Sequence, residues 1–210
     1  MKFIYKTLFL LLSIALISSC ARTGRPDGGP KDELAPLFVI SNPPYKSINF
    51  SNKEVKLEFN ELIKLKNLNK QLVVSPPLKN PLLVTPQGTA SKSLKIEILD
   101  TLVANTTYIF NFGNAIEDNN ESNKLEGFKY IFSTGTYIDS LKNSGFVNNA
   151  FTNKHSKKTN ILLYLIDSTF TDSIIYKQKP NYVTTALDTA KYDFTNLKKG
   201  KYLLLALEEN

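Results

Sequence analysis

The sequence predicts an all-β protein, two β-sandwich modules in tandem behind a signal peptide and a flexible tether. The first twenty residues hold a basic start and one short apolar run. Beyond residue 35, apolar residues come in short runs broken every eight to twelve residues by Pro, Asn, Gly or Asp, as between antiparallel strands. Several of these runs alternate apolar and polar residues, the period of a strand with one buried face.

The N-terminus comes first. Met1 is followed by Lys2 and Lys6, an apolar run from Leu8 to Ile17, and then Ser18-Ser19-Cys20. A positive start, about ten apolar residues and small residues at the cut make a secretory signal over residues 1–19. About twenty apolar residues are needed to cross a bilayer, so the run is too short for a resident transmembrane helix. Ile17-Ser18-Ser19-Cys20 resembles the lipobox of bacterial lipoproteins, in which a branched apolar residue and two small ones precede an acylated cysteine. Cys20 is the single cysteine of the chain, so no internal disulfide can form. The resemblance implies a diacylglyceryl thioether plus an N-acyl group, and two or more acyl chains anchor stably where one does not.

Residues 20–34 read as the tether. Arg22-Thr23-Gly24-Arg25-Pro26-Asp27-Gly28-Gly29-Pro30 has no apolar periodicity and is rich in Gly and Pro. From Cys20 to Pro36 it reaches at most about 50 Å. Ala21 resembles the default outer-membrane route of Gram-negative lipoproteins, which an aspartate at that place would block. Lipoproteins exported to the surface often carry an acidic cluster after the cysteine. Arg22 and Arg25 stand there instead, which favours the periplasmic side.

The first module is expected over residues 35–136. Val55-Lys56-Leu57-Glu58-Phe59, Leu94-Lys95-Ile96-Glu97-Ile98 and Tyr108-Ile109-Phe110-Asn111-Phe112 read as strands with one buried face, and Tyr130-Ile131-Phe132 closes the segment. Asn60 to Leu72 has leucines at helix-like spacing (Leu62, Leu65, Leu68, Leu72) and reads as a loop with one helical turn.

Three patterns in this stretch go together. Pro36 to Pro44 precedes Val55 to Glu61; Leu102-Val103-Ala104-Asn105-Thr106-Thr107-Tyr108 leads to Gly113-Asn114-Ala115-Ile116-Glu117-Asp118; Phe128 to Gly135 ends the module. Together they resemble the bacterial Ig-like domain first described in an S-layer protein, with its "L-x-x-N-T-x-Y" turn, "D-x-x-G-N" loop and final "F-x-T-G" strand. The departure is Asp118-Asn119-Asn120-Glu121-Ser122-Asn123, which lacks the usual Gly. Its hard oxygens would suit Ca²⁺, but Asn and Asp are also favoured in turns for backbone reasons. No EF-hand spacing is present, and neither a metal nor a cofactor is expected.

The second module is expected over residues 141–210. Ser144 to Lys154 gives a strand and turn, and Ile161 to Ile166 is an apolar run fit for a strand buried on both faces. In Tyr192-Asp193-Phe194-Thr195-Asn196-Leu197-Lys198-Lys199-Gly200-Lys201-Tyr202-Leu203 a strand ends at Phe194, Leu197 tucks into the core, Gly200 supplies a turn with φ > 0, and Tyr202 opens the next strand. This "F-x-N-L-x-x-G-x-Y" pattern resembles the transthyretin-like domains, among them the regulatory-like domain of carboxypeptidases, whose modules serve as spacers, stalks or adhesion units. The stretch is shorter than a seven-strand sandwich uses, and lipoproteins with this pairing of modules tend to continue further. An incomplete module is therefore expected, the alternative being a minimal sandwich with an open last edge.

Catalytic groups are scarce. The single His155 lies in a basic turn, Asn153 to Lys158, with no Gly-x-Ser-x-Gly elbow elsewhere. One His and one Cys exclude the usual zinc sites, and no phosphate-binding Gly loop is present. The formal charge of +7 could suit nucleic acid, but the lysines are scattered and no basic–aromatic recognition motif appears, so no nucleic-acid partner is expected. Clusters at Lys154, Lys157, Lys158 and at Lys198, Lys199, Lys201 read as solvated turns able to rest on anionic lipid or glycan. The ten Tyr and thirteen Phe, with no Trp, read mostly as core.

Asp-Ser/Thr followed by a small, apolar or Thr residue occurs five times: Asp100-Thr101-Leu102, Asp139-Ser140-Leu141, Asp167-Ser168-Thr169, Asp172-Ser173-Ile174 and Asp188-Thr189-Ala190. Composition alone predicts about one or fewer. The triplet resembles an O-glycosylation sequon of exported proteins in some Gram-negative bacteria, which makes Thr101, Ser140, Ser168, Ser173 and Thr189 candidate acceptors; turn chemistry is the other reading. The expected function is that of a non-enzymatic, membrane-anchored lipoprotein whose modules present a binding or structural surface to an envelope protein or glycan. The alternatives are the N-terminal accessory part of a longer envelope enzyme and a glycan-binding adhesin.

Overall fold

The computed structural model describes residue 4 and residues 29–154, 158–186 and 190–208. Cys20, His155, Lys157 and Thr189 lie outside the described residues. The chain divides into Met1–Asp32 and Glu33–Asn210, and the strands of the described residues all belong to the second of these units. In chain order its elements are β1 (Phe38–Asn42), β2 (Glu54–Leu65), a one-turn helix α1 (Leu68–Gln71), β3 (Val73–Ser75), β4 (Leu83–Thr85), β5 (Ser91–Glu97), β6 (Thr107–Asn111), β7 (Ile116–Asp118), β8 (Lys129–Ser133), β9 (Leu141–Phe146), β10 (Thr159–Leu165), a second one-turn helix α2 (Ile174–Lys177), β11 (Tyr182–Ala186), β12 (Lys191–Leu197) and β13 (Tyr202–Glu208). The fold is all-β, as the periodicity predicts.

The first sandwich packs a five-stranded sheet, ordered β1-β2-β5-β4 with β7 on β2, against the three strands β3-β6-β8. Its strands are antiparallel. Alternation puts Val55, Leu57 and Phe59 of β2 and Leu94 and Ile96 of β5 into one core with Tyr108, Phe110, Tyr130 and Phe132 of the facing sheet. The opposite face of β2 and β5 carries Glu54, Lys56, Glu58 and Lys95, cross-linked by exposed pairs of Lys95 with Glu54 (2.6 Å) and Lys56 with Glu58 (2.8 Å). Such pairs add little stability but keep this face in water. The edge of β8 is closed by the segment after β1: Lys46 N–H donates to Ile131 O, Ser133 N–H to Ser47 O and Phe50 N–H to Ser133 O, at 2.8–2.9 Å. An edge so covered offers no template for further strands.

Two expectations fail here. The loop expected from Asn60 is strand as far as Leu65; only the helical turn at Leu68–Gln71 matches. Ile63, 1% exposed, lies between the exposed Leu62 and half-buried Lys64. The period is therefore two, and the leucine spacing misleads because it skips the most buried residue. A register shift between Glu58 and Ile63 lets β2 take β7 as a new partner. Nor does β6 have one buried face, and β8 shares its pattern. Tyr108-Ile109-Phe110 and Tyr130-Ile131-Phe132 are buried throughout, because Ile109 and Ile131 point away from the first core into a second.

That second core joins Ile109 and Ile131 to Ile161, Leu163, Tyr182, Ala186, Phe194 and Leu197 from a three-stranded sheet, β11-β10-β13, and a two-stranded one, β12-β9. Burying an isoleucine side chain contributes about 1.5–3 kcal/mol, so the two isoleucines fasten the C-terminal strands to the outer face of the first sandwich. The connection is docked as well: Asp139 N–H donates to Thr107 Oγ1 at 2.9 Å, and Asn196 Nδ2 donates to Asp139 O at 2.8 Å. The run at Ile161 is buried on one face and only partly on the other: Ile161 and Leu163 face the shared core, Leu162 and Leu165 are half-buried and Tyr164 is buried.

In the predicted Phe194–Tyr202 turn, Leu197 is buried and Tyr202 opens β13 as expected, but β12 continues past Phe194 to Leu197 through a register shift. The left-handed residue is Asn196 (φ 58°), not Gly200. At Gly200 an added Cβ would come within 2.8 Å of Leu165 Cδ1, the mobile end of a side chain that a small shift could move aside. Among the described residues β13 pairs with β10 alone, and Leu204 and Leu207 of this edge strand are 39% and 54% exposed.

Candidate functional site

The carboxylate of Asp118 is taken up within its own loop. Asp118 is 1% exposed. Its Oδ1 accepts the backbone N–H of Asn120, Glu121 and Ser122 at 2.6–3.1 Å, and its Oδ2 that of Asn123 at 2.7 Å. Burial pushes the Asp118 pKa up, but the four N–H groups outweigh it and hold the carboxyl below its ordinary value. The carboxylate ties the loop to itself, and Ser122 takes its left-handed step (φ 66°). Among the described residues, no group of three or more His, Cys, Asp or Glu could hold a metal. Beside it, Glu117 is also buried, with Lys66 Nζ 3.8 Å from Oε1 and Lys64 and Lys124 as its cross-strand neighbours.

The candidate acceptors do not converge. Thr101, Ser140 and Ser168 are exposed and Ser173 is half-buried, all outside strands. Two of the aspartates before them, Asp100 and Asp167, serve local structure. Asp100 accepts N–H from Lys79 (2.6 Å) and the amide of Asn80 (2.6 Å), and Asp167 Oδ1 accepts the N–H and hydroxyl of Thr169 at 2.8 and 2.7 Å. Turn chemistry thus accounts for these aspartates and leaves the hydroxyls accessible.

Two concavities lie where the C-terminal strands meet the first sandwich. One, of about 650 Å³, is apolar: Leu68, Leu72, Val74, Pro77, Leu78 and Leu82 face Pro180 and Val183. The other, of about 680 Å³, has a different character. One wall comes from β1, the segment after it and the start of β8, with Phe38, Tyr45, Lys46, Phe128 and Lys129; the other comes from β9 and the β12 irregularity, with Ser140, Lys142, Thr195 and Asn196. Both volumes fall within the range of ligand pockets. The aromatic wall is braced: the Phe38 ring lies 5.2 Å from Phe128 and 6.3 Å from Tyr45, and Tyr45 lies 6.4 Å from the buried Tyr130. Tyr130 donates its hydroxyl to Pro43 O at 2.8 Å, which pins the Tyr45 segment from below. Sequence reading missed this groove because its walls come from residues about a hundred positions apart. Its aromatics looked like core, and Phe38 and Phe128 do pack against the first core as well as lining the groove.

Comparison with known proteins places the first module. Residues 32–134 match the family model described as bacterial Ig-like domain. The match falls on the stretch whose motifs resemble that domain. The crystal structure of the N-terminal part of the bacterial S-layer protein SbsC is similar at 14% identity and a TM-score of 0.32, over 84% of this chain and 45% of that one. The chain thus spans less than half the length of that structure. No curated protein matches the sequence. Among the described residues, no helix is long and apolar enough to cross a membrane.

Proposed function

We propose that this chain is a non-catalytic lipoprotein of the outer membrane, held by acyl chains on Cys20 and presenting its two β modules as one binding body. The observation that carries the reading is the shared core. Ile109 and Ile131 of the Ig-like domain are buried among Ile161, Leu163 and Phe194. Two modules so fastened present a fixed surface with grooves at their junction, which suits recognition better than a hinged spacer would. Support for the anchor comes from Ile17-Ser18-Ser19-Cys20 and the Gly/Pro-rich stretch after it. The C-terminal strands are read as a transthyretin-like module on the strength of Phe194, Asn196, Leu197, Gly200 and Tyr202. The periplasmic side is favoured by Arg22 and Arg25. Thr101, Ser140, Ser168, Ser173 and Thr189 are proposed as O-glycan acceptors, supported by the accessibility of the first three.

Palmitate labelling of the native protein with a Cys20→Ala control tests the anchor, with label expected only on the wild type. Protease shaving of intact cells tests the side, with protection expected. An unlabelled, freely diffusing thiol form would overturn the reading. Intact mass tests the acceptors: a mass equal to polypeptide plus lipid would exclude them.

A further inference from the structure

The geometry points to the basic, aromatic-walled groove as a binding site for an acidic saccharide, a sugar chain bearing carboxylates. This deepens the binding-surface reading above by naming the surface and the chemistry it takes.

Three ammonium groups, those of Lys46, Lys129 and Lys142, belong to the lining, and no carboxylate does. Among the described residues none of the three is ion-paired; the salt bridges there involve Lys56, Lys66 and Lys95. Lys46 Nζ instead stands 5.4 Å over the Tyr45 ring, a cation–π contact that leaves its charge available. Lys46 holds a left-handed backbone (φ 62°) that a non-glycine residue rarely adopts, kept by its N–H bond to Ile131 O at 2.8 Å. A positive concavity without internal neutralisation concentrates anions. On the facing wall the backbone is set by Asn196, whose own φ is 58° and whose amide is spent on Asp139 O.

Charge alone would fit any polyanion, and the aromatic wall narrows the choice. Tyr45 is 40% exposed, an aromatic surface that the apolar face of a sugar can meet. The rings of Phe38, Tyr45 and Phe128 pack on one another at tilts of 41° and 65°. They make one continuous wall and not the series of separate platforms on which successive nucleobases stack. A membrane surface is flat and would meet projecting lysines; these three line a recess instead. Lys142 comes from β9 and the other two from the Ig-like domain, so the site exists only while the two modules are docked.

The test uses the full chain purified in detergent and isothermal titration with tetragalacturonate, with neutral galactotetraose, polyglutamate and a single-stranded oligonucleotide as controls. Tetragalacturonate alone is expected to bind. Lys142→Ala and Tyr45→Ala, both at exposed positions, should each weaken it about tenfold, whereas Lys191→Ala, outside the groove, should leave it unchanged. Equal binding of polyglutamate or of the oligonucleotide would reduce the site to charge and overturn the proposal. Equal binding of the neutral sugar, no binding of the acidic one, or indifference to Lys142→Ala would overturn it too. None of these results depends on lipid at Cys20, so failure here leaves the anchoring reading untouched, and the converse holds.

Discussion

Thr134 and Thr106 lock one another across 28 residues of sequence: Thr106 N–H donates to Thr134 Oγ1 at 3.0 Å, and Thr134 N–H returns a bond to Thr106 O at 3.1 Å. The Thr134 hydroxyl then donates to Val103 O at 2.7 Å, while Val103 N–H donates to the buried Tyr108 hydroxyl at 2.9 Å. Asn105, at φ 50°, supplies the left-handed step of the turn. Gly135 fits because a Cβ there would meet Asn105 Cα at 3.0 Å. The two motifs Leu102 to Tyr108 and Phe132 to Gly135 are thus two halves of one corner.

Removing the hydroxyl at this corner should therefore cost more than a surface change. Thr134→Val keeps the shape but leaves Val103 O and Thr106 N–H short of a partner, at a cost of about 1–3 kcal/mol. Thr134→Ser should recover most of it. Urea unfolding of the two variants checks the order.

Asp118 should be worth more, because it carries four backbone donors in a buried place. Asp118→Ala is expected to destabilise by roughly 2–4 kcal/mol, and added Ca²⁺ should not restore the melting temperature of either form. The folded pKa is depressed, so the contribution is full above the unfolded value of about 3.9 and is lost as pH falls through the folded one. Wild-type stability should accordingly drop below about pH 4, with the Asp118→Ala variant showing a shallower acid limb in urea titrations.

The alkaline limb has its own cause. Burial pushes Tyr130 up to about 12 and raises Tyr108, Tyr182 and Tyr202. A phenol whose folded pKa exceeds its unfolded value of about 10 keeps its full contribution below that value and loses it as pH rises toward the folded one. Stability should fall above about pH 10, and tyrosinate absorbance at 295 nm should lag behind that of free tyrosine until the chain unfolds.

The C-terminal strands and the first sandwich should melt together. Ile109→Ala removes a side chain that is 7% exposed in the shared core, at a cost of about 2–5 kcal/mol. Calorimetry should show one cooperative transition for the wild type and a lower or divided one for this variant. Two independent transitions in the wild type would contradict a common core.

The corner motif was legible because its parts are short, local and chemically peculiar: an Asn where φ is positive, a Thr that must cap, a Gly that must leave room. The strands of the first core were legible for a similar reason, since period two survives in Val55–Phe59 and Leu94–Ile98 whatever lies around them. Residues such as Ile109 and Ile131 were not. Their side chains stand on the face that alternation assigns to water, and only a second layer of strands makes that face a core. The same dependence explains the mistaken loop at Asn60–Leu65, where a new partner strand, β7, extends β2 beyond what its leucines suggest.

From the order of its residues alone, then, this chain declares a β architecture and the corner built by Leu102 to Tyr108 and Phe132 to Gly135, because each is written in contiguous stretches whose physics is local. Whether the modules would swing or dock, and whether Tyr45 and Lys46 would ever face Lys142, was left to packing. Those contacts join segments about a hundred residues apart, and apolar burial between them has no signature until the sheets are laid one on another.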